Sequence, residues 1–227
     1  MLLTIHQPEH MPWLGFFHKM ALADSYVLLD NVQFKVNNFQ NRNRIVTRQG
    51  EALWLTVPVE NKDHLETAIA DMKIAPIVNW RKKYWGRIKD NYCKHPYFKT
   101  YAEELEALIM KDDNLLVNLN LALIDFFRKV LRIETPMVRA STLSAKGKAT
   151  ELLVNLCQEM KADRYLSGPD GRNYLELSRF DDAEILVEFH EFKHPDYGGL
   201  NFQPYLSTLD LVMNHGPESR RFIVTAN

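Results

Sequence analysis

The segment richest in reactive side chains is a short turn, His6-Gln7-Pro8-Glu9-His10, that follows an apolar run at the start of the chain. An imidazole exchanges protons near neutral pH, so His6 and His10 are candidate general bases. The amide of Gln7 could hold an oxyanion as its charge develops. The spacing of these residues is not a standard one for metal ligands, so we expect no metal here. The structural alternative is a loop fixed by Pro8, with a buried, hydrogen-bonded His6.

The next segment, Pro12-Trp13-Leu14-Gly15, places a glycine in the first turn of a predicted helix. A glycine there lets a ligand approach the backbone, whose exposed N–H groups favour phosphate. Trp13 and Gly15 are therefore candidate substrate-binding residues. The alternative is that Trp13 belongs to the core and that Gly15 relieves crowding beside it.

More polar side chains follow the second apolar segment, residues 25–30. Asp30 could take a proton from an amine or bind a sugar hydroxyl, and Gln33 lies in the same turn. Arg42 and Arg44 are two positions apart, so in an extended segment both face one side. Paired guanidinium groups suit a diphosphate or a carboxylate. Turn capping and a solvated hairpin edge are the structural alternatives.

A further set of candidates is spread over the rest of the chain. The turn Ser167-Gly168-Pro169-Asp170-Gly171 has glycines that permit close backbone approach, but it is not the G-x-S-x-G turn of serine hydrolases. A simple turn is the alternative. The candidate substrate-binding residues in this set are Asn41, Ser167, Gly168, Tyr174, His194 and Tyr197.

A strand–helix–strand succession must position the first of these groups. Residues 2–6 and 25–30 predict buried strands, and residues 13–23 predict the helix between them. Such a succession favours a parallel pair of strands. The carboxyl ends of such strands are where α/β proteins bind ligands, so we expect the site there. Residues 31–41 predict a loop.

The remaining pattern predicts an α/β fold with a helical block. A hairpin is predicted at residues 45–47 and 53–59, a short strand at 69–74, and helices at 80–93, 97–110 and 114–131. Strands at 137–140, 164–167 and 185–192 then alternate with helices at 148–160 and 207–215. We therefore expect a single domain, residues 1–227, with a mixed, partly parallel sheet flanked by helices. The helical insertion or subdomain is expected at about residues 77–132.

Composition narrows the functional classes. The chain has 227 residues and a formal net charge of −1, so nucleic acid is not expected as the main partner, although a local basic patch is compatible with that charge. Its two cysteines are too few for a disulfide framework and fit a reducing cytoplasm. The longest apolar stretch, residues 115–131, contains five polar or charged side chains. It predicts a buried helix and no transmembrane segment, and the first residues do not predict a signal peptide.

Several motifs together resemble the WbqC-like protein family. They are Ile5-His6-Gln7-Pro8 with Pro12-Trp13-Leu14-Gly15-Phe16-Phe17 and Lys19, Asp30-Asn31-Val32-Gln33-Phe34, Gln40-Asn41-Arg42-Asn43-Arg44, Trp54-Leu55-Thr56-Val57-Pro58-Val59, Tyr165-Leu166-Ser167-Gly168, His194-Pro195 with Tyr197, and Leu206-Ser207 with Leu209-Asp210-Leu211. The resemblance covers essentially the whole chain. One departure is Gly198-Gly199, which stands where the family usually has a polar residue after the tyrosine.

The resemblance implies a transferase of bacterial surface polysaccharide (O-antigen) biosynthesis. It would join an acyl or aminoacyl group, such as glycyl, to the amine of a nucleotide-linked amino sugar. His6, His10 or Asp30 would take the proton from the amine, and the arginine pair would hold the diphosphate of the sugar. We expect no tightly bound cofactor. The activated acyl donor could be a carrier thioester, coenzyme A, an acyl-adenylate or a charged tRNA, and an acyl or aminoacyl carrier protein is a candidate partner.

Two other functions fit the same residues. The strand–turn–helix opening is similar to that of nucleotidyltransferase-type folds, which use ATP and magnesium, although the signature of two histidines around a glycine is absent. A non-catalytic subunit that binds a carrier or organises a pathway would use the same polar turns for binding alone.

Overall fold

A computed structural model gives the structure of residues 1–60 and 66–224. In chain order the elements are β1 (Leu2–His6), α1 (Leu14–Leu22), β2 (Ser25–Leu28), β3 (Arg42–Val46), β4 (Ala52–Thr56), α2 (Trp80–Tyr92), α3 (Phe98–Met110), α4 (Leu116–Leu131), β5 (Met137–Arg139), α5 (Ala149–Glu159), β6 (Arg164–Ser167), α6 (Leu177–Asp182), β7 (Leu186–Phe189), α7 (Thr208–His215) and α8 (Ser219–Val224). The predicted α/β class is confirmed.

Five strands form one sheet in the order β5-β2-β1-β6-β7, and every neighbouring pair is parallel. From β1 the chain adds β2 and β5 on one side and then returns to add β6 and β7 on the other. This is the strand order of doubly wound, Rossmann-type sheets, in which a crevice opens where the order reverses. The reversal lies between β1 and β6. The predicted antiparallel pairing is confined to a separate hairpin of β3 and β4.

Both faces of the sheet are covered. Alternate residues of a strand point to opposite faces, so the central strands contribute side chains to a core on each face. Leu3 and Ile5 of β1 pack with apolar residues of α5, and with Phe180 of α6. Tyr26 and Leu28 of β2 pack on the opposite face, in a core that includes α1. Parallel strands buried on both faces explain why these segments are apolar almost throughout.

The predicted helical block is present as α2, α3 and α4. Its buried residues join the same core as α1 and β2, so the block packs onto one face of the sheet. Phe127 of α4 and Phe17 of α1 show the contact, with their ring centroids 5.8 Å apart. Cys93 is exposed directly after the end of α2.

The predicted strand at residues 69–74 is wrong. Residues Ile69–Asp71 form one turn of 3₁₀ helix, and only isolated pairings flank it. The backbone N–H groups of Ile69 and Ala70 donate to the carbonyl groups of Val32 and Asp30. Met72 and Ile74 are buried and alternate with the exposed Asp71 and Lys73, which is the pattern of a half-buried strand, but the segment pairs with its neighbours only through isolated bridges among the described residues.

Two short helices, α6 and α8, have six residues each and were not predicted. Segments this short give less than two helical turns of periodicity, which is too little to detect from sequence.

The predicted start of α7 is confirmed: the Oγ atom of Ser207 accepts a hydrogen bond from the N–H of Leu209 at 3.2 Å. Among the described helices, none has the length and apolar character needed to cross a membrane.

The Phe17–Phe127 contact makes a prediction about stability. Phe127 is fully buried, so Phe127→Ala leaves a cavity between α4 and α1 and should lower the free energy of unfolding by about 3–5 kcal/mol. Val78 is 78% exposed, and Val78→Ala should change that free energy by less than about 0.5 kcal/mol. Urea denaturation measures both. A loss below about 1 kcal/mol for Phe127→Ala would mean that the helical block is not packed on the sheet as described.

Candidate functional site

A cleft of about 840 Å³ lies where the strand order reverses. The turn after β1 contributes His6, Gln7 and Glu9, and the turn after β6 contributes Gly168 and Asp170. The cleft therefore opens at the carboxyl ends of β1 and β6, as expected for this strand order. Basic and aromatic side chains complete its walls: Lys19, Lys35, Arg44, Trp13, Phe39, Tyr165, Tyr174 and Tyr205.

Glu9 is a buried carboxyl group that lines the cleft. It is only 8% exposed, and its Oε2 atom has no hydrogen-bond partner among the described residues. Burial raises the pKa of Glu9 to about 7, although the nearby Lys19 ammonium acts in the opposite direction. A carboxyl group with this pKa can accept or release a proton at neutral pH.

Lys19 is the second buried ionisable group of the cleft. Burial lowers its pKa to about 7, an effect that the Glu9 carboxylate opposes. Its Nζ atom donates a hydrogen bond to the carbonyl of Ile5 at 3.2 Å, and the residue is 3% exposed. Lys19 was missed as a site residue because it lies inside a predicted helix. A sequence signal was present, since Lys19 lies between Phe16-Phe17 and Met20-Ala21-Leu22 in a mostly apolar run. In the structure every residue from Leu14 to Met20 is buried, which is unusual for a lysine.

His6 lies beside this pair as a neutral imidazole. Its Nδ1 atom is 2.9 Å from the carbonyl oxygen of Gln7, and a carbonyl can only accept, so Nδ1 carries the proton. The Nε2 atom is then an acceptor, 3.8 Å from Oε1 of Glu9. Burial, reinforced by the charge of Lys19, lowers the pKa of His6 to about 3. His6 therefore accepts hydrogen bonds in the cleft but is a weak base at neutral pH.

The other two predicted catalytic residues lie outside the cleft lining, and both are already hydrogen-bonded. His10 is fully buried, with Nδ1 2.8 Å from Oδ1 of Asn120 and Nε2 2.6 Å from the hydroxyl of Tyr84. Asp30 is also fully buried, and Oδ2 accepts from Nε of Arg139 at 2.6 Å. The Asp30 carboxylate also accepts two hydrogen bonds of 2.8 Å from Ser141, one from its backbone N–H and one from its hydroxyl group. These hydrogen bonds connect His10 to α2 and α4, and Asp30 to β5 and the turn after it.

Trp13 lines the cleft, whereas Gly15 supports Trp13. A Cβ atom added at Gly15 would lie 2.3 Å from the indole ring of Trp13. The glycine is therefore required by the packing of the ring, which is the crowding alternative, and not by the approach of a ligand. The rings of Phe192 and Tyr205 contact the same indole.

The predicted arginine pair does face one side of β3. The guanidinium carbons of Arg42 and Arg44 lie 4.5 and 5.8 Å from the ring centroid of Trp54 on β4. Only Arg44 lines the cleft, where Nη2 also donates to the carbonyl of Tyr205 at 3.3 Å. Arg42 lies further out and donates to the side chain and carbonyl of Asn37.

Some of the remaining candidates line the cleft and the others do not. Gly168 and Tyr174 line the cleft, whereas Ser167 is fully buried and its Oγ donates to the carbonyl of Gly168. Four candidates lie outside the lining: Asn41 donates to the carbonyl of Val57, His194 contacts the carbonyl of Pro195, Tyr197 donates to Asp210, and Gln33 is exposed in an isolated pairing with Ala68. Within residues 1–60 and 66–224, no group of three or more His, Cys, Asp or Glu side chains is arranged to hold a metal ion.

Comparisons with known proteins agree with the motifs of the sequence. The model of the WbqC-like protein family matches residues 7–222. The protein named "Uncharacterized protein Rv1507c" of Mycobacterium tuberculosis (strain ATCC 25618 / H37Rv) is 31% identical over 225 residues, which cover 97% of this chain and 96% of that protein. No solved structure matches the chain. The family match begins at Gln7 and includes the rest of both turns that form the cleft.

The burial of His10 predicts a pH dependence of stability. Burial lowers the pKa of His10 from 6.5 to about 4. Between these values the unfolded chain binds more protons than the folded one, so folding loses stability as the pH falls. From pH 7 to pH 5 this one residue should account for a loss of roughly 2 kcal/mol.

Urea denaturation of the wild type and of His10→Gln at both pH values measures this contribution. A glutamine can still donate to Asn120 and accept from Tyr84, but it does not titrate. The variant should therefore lose roughly 2 kcal/mol less than the wild type between pH 7 and pH 5. Equal losses in the two proteins would contradict a buried, neutral His10.

Proposed function

Because the chain belongs to the WbqC-like protein family, we propose that it is a transferase that joins an acyl or aminoacyl group, such as glycyl, to the amine of a nucleotide-linked amino sugar. Membership of the family suggests a role in polysaccharide biosynthesis. The observation that supports acyl transfer is the buried Glu9 carboxyl group in the cleft, whose pKa burial raises to about 7. A base with that pKa suits the deprotonation of an amine nucleophile at neutral pH.

In the proposed reaction the sugar amine is the nucleophile. Its nitrogen forms a bond to the acyl carbon while the leaving group of the donor departs with the electron pair of the broken bond. The Glu9 carboxylate takes the proton that the nitrogen loses, in place of the His6, His10 or Asp30 base expected from the sequence. Nε2 of His6 accepts a hydrogen bond from the amine and orients its lone pair. The Lys19 ammonium nearby stabilises the carboxylate form of Glu9 before the transfer.

The walls of the cleft supply complementary contacts for the two ends of a nucleotide sugar. Arg44 and Lys35 carry the positive charge that a diphosphate requires. Phe39, Tyr174 and Tyr205 offer aromatic faces to the sugar ring and the base. The volume of about 840 Å³ lies within the range of roughly 300–1,000 Å³ that is common for ligand sites. The donor arrives already activated, and no tightly bound cofactor is needed.

Binding of the acceptor tests the substrate class. UDP- or dTDP-linked amino sugars should raise the thermal midpoint of the protein more than the same sugars without the amine, coenzyme A, or ATP with magnesium. Ligand at a hundred times its dissociation constant adds roughly 2.7 kcal/mol of stability, which is measurable as a raised midpoint. Stabilisation by ATP with magnesium alone would instead indicate nucleotidyl transfer. No response to any of these ligands would favour a carrier-binding role.

Arg44 and Arg42 provide a matched pair for the same experiment, since they lie on one face of one strand. Arg44→Ala should weaken binding of the nucleotide sugar by roughly tenfold or more, because a charge-assisted contact to the diphosphate is lost. Arg42→Ala should bind nearly as the wild type does, because Arg42 lies outside the cleft lining. Equal losses in both variants would place the diphosphate on the outer face of the hairpin.

Glu9→Gln tests the base. The amide preserves the shape of the side chain but cannot take a proton, so kcat should fall by about 10²- to 10⁴-fold with little change in KM. In the wild type kcat should fall as the pH drops below about 7, because Glu9 is then protonated. Glu51→Gln is the control, since Glu51 is exposed in the hairpin turn. Retention of full activity by Glu9→Gln would remove Glu9 from the mechanism.

A further inference from the structure

Gln40 is a fully buried residue outside the cleft lining that hydrogen-bonds to two residues of that lining, Gln7 and Lys35. Its Oε1 atom accepts a hydrogen bond from the backbone N–H of Lys35 at 2.8 Å. A backbone N–H can only donate, so the atom that faces it must be the oxygen of the side-chain amide. The two ends of a glutamine amide are hard to distinguish by shape alone, and here the backbone decides between them.

The orientation of Gln40 fixes that of Gln7. The nitrogen of Gln40 lies 2.7 Å from the amide of Gln7 and donates to it, so Gln7 presents its oxygen at this contact. The opposite arrangement would bring two N–H donors together without an acceptor. Nε2 of Gln7 therefore faces away from Gln40, and it has no hydrogen-bond partner among the described residues. Since Gln7 lines the cleft, two N–H donors are available to a ligand there.

The backbone of Gln40 is held by a second series of hydrogen bonds. Its carbonyl accepts from Nδ2 of Asn120 on α4 at 2.7 Å. That leaves Oδ1 of Asn120 to accept the Nδ1 proton of His10, and Nε2 of His10 to accept from the hydroxyl of Tyr84 on α2. These side chains are buried, so rotating Gln40 would break hydrogen bonds that water could not replace.

We infer that Gln40 is a positioning residue that fixes Gln7 as a hydrogen-bond donor, and that this end of the cleft binds the carbonyl oxygen of an acyl group. His6, the preceding residue, presents the acceptor Nε2 to the same cleft. A donor and an acceptor from consecutive residues of one cleft match the C=O and N–H groups of a secondary amide. A carboxylate offers only acceptors at neutral pH, and an ammonium group offers only donors.

Only the identity of the bound acyl group rests on the proposed function. The direction of the Gln7 amide follows from the backbone of Lys35, whatever reaction the cleft performs. It can therefore be tested without an assay of turnover.

Amide proton exchange measured by ¹⁵N NMR tests the orientation. In the wild type the side-chain NH₂ protons of Gln40 should exchange slowly with water, and those of Gln7 should exchange rapidly. In Gln40→Glu the carboxylate can only accept, so the amide of Gln7 should turn, donate to residue 40 and become protected. Rapid exchange of Gln7 in both proteins, or protection in the wild type, would overturn the inference.

Small probes test the ligand class. N-methylacetamide should shift the side-chain NH₂ signals of Gln7 at lower concentrations than either acetate or methylammonium does, and Gln40→Glu should weaken this binding by roughly tenfold. An equal or stronger response to acetate would overturn the acyl assignment in favour of an anion site.

Gln7→Glu keeps the test decisive if Gln40→Glu does not fold. Gln7 is only half-buried, and a glutamate there can still accept from Gln40 while its other oxygen faces the cleft. The Gln40 protons should stay protected, and the N-methylacetamide response in backbone signals of the β1 turn should disappear. Gln33→Glu, exposed and outside the cleft, should respond as the wild type does. Persistence of the N-methylacetamide response in Gln7→Glu would overturn the inference.

Discussion

Buried polar groups must find hydrogen-bond partners, and at Gln40 this requirement fixes the orientation of Gln7 in the cleft and of His10 outside it. The backbone N–H of Lys35 can only donate, and the backbone carbonyl of Gln40 can only accept. The side-chain amides bonded to these groups, those of Gln40 and Asn120, therefore have a single allowed orientation each. One series of bonds ends at Gln7 in the cleft and the other at His10. Burial lowers the pKa of His10, and the hydrogen bond to Asn120 acts in the opposite direction, so the ring is neutral at pH 7 and its Nε2 atom can accept from Tyr84.

A second constraint comes from the strand order. Because the order reverses between β1 and β6, the turn after β1 lies over a crevice and is not covered by the next crossover. The same turn lies next to α1, whose first seven residues are all buried. Glu9 and Lys19 are therefore near enough to the core to be desolvated and near enough to the crevice to meet a ligand. Desolvation moves both pKa values toward 7 from opposite directions, which neither group would show on an open surface.

Much of the fold could be predicted from the sequence because the buried strands and the long helices have clear periodicity. The segment at residues 69–74 failed because its apolar residues are buried by contacts with the loop after β2, which no local pattern reveals. The cleft opens at the edge of the sheet where the sequence predicted a site, and only some of the predicted residues line it. Asp30 and Glu9 both carry a carboxyl group, so residue type alone could not show which of them is the better candidate base. Only the structure distinguishes them, because Arg139 and Ser141, which bond to Asp30, lie 109 and 111 positions further along the chain.

The candidates are best separated by whether their hydrogen-bonding capacity is already used inside the protein. His10, Asp30, Ser167 and Tyr197 are bonded to groups of the fold, so removing them costs stability before it costs any chemistry. Oε2 of Glu9 is buried and has no partner within the described residues, and His6 and Gln7 line the same cleft. A folded protein tolerates buried polar atoms of this kind where a ligand supplies the missing partner. His6, Gln7 and Glu9 line one cleft, and the two donors of Gln7, the acceptor of His6 and the carboxyl group of Glu9 are the groups that the proposed amide formation would use.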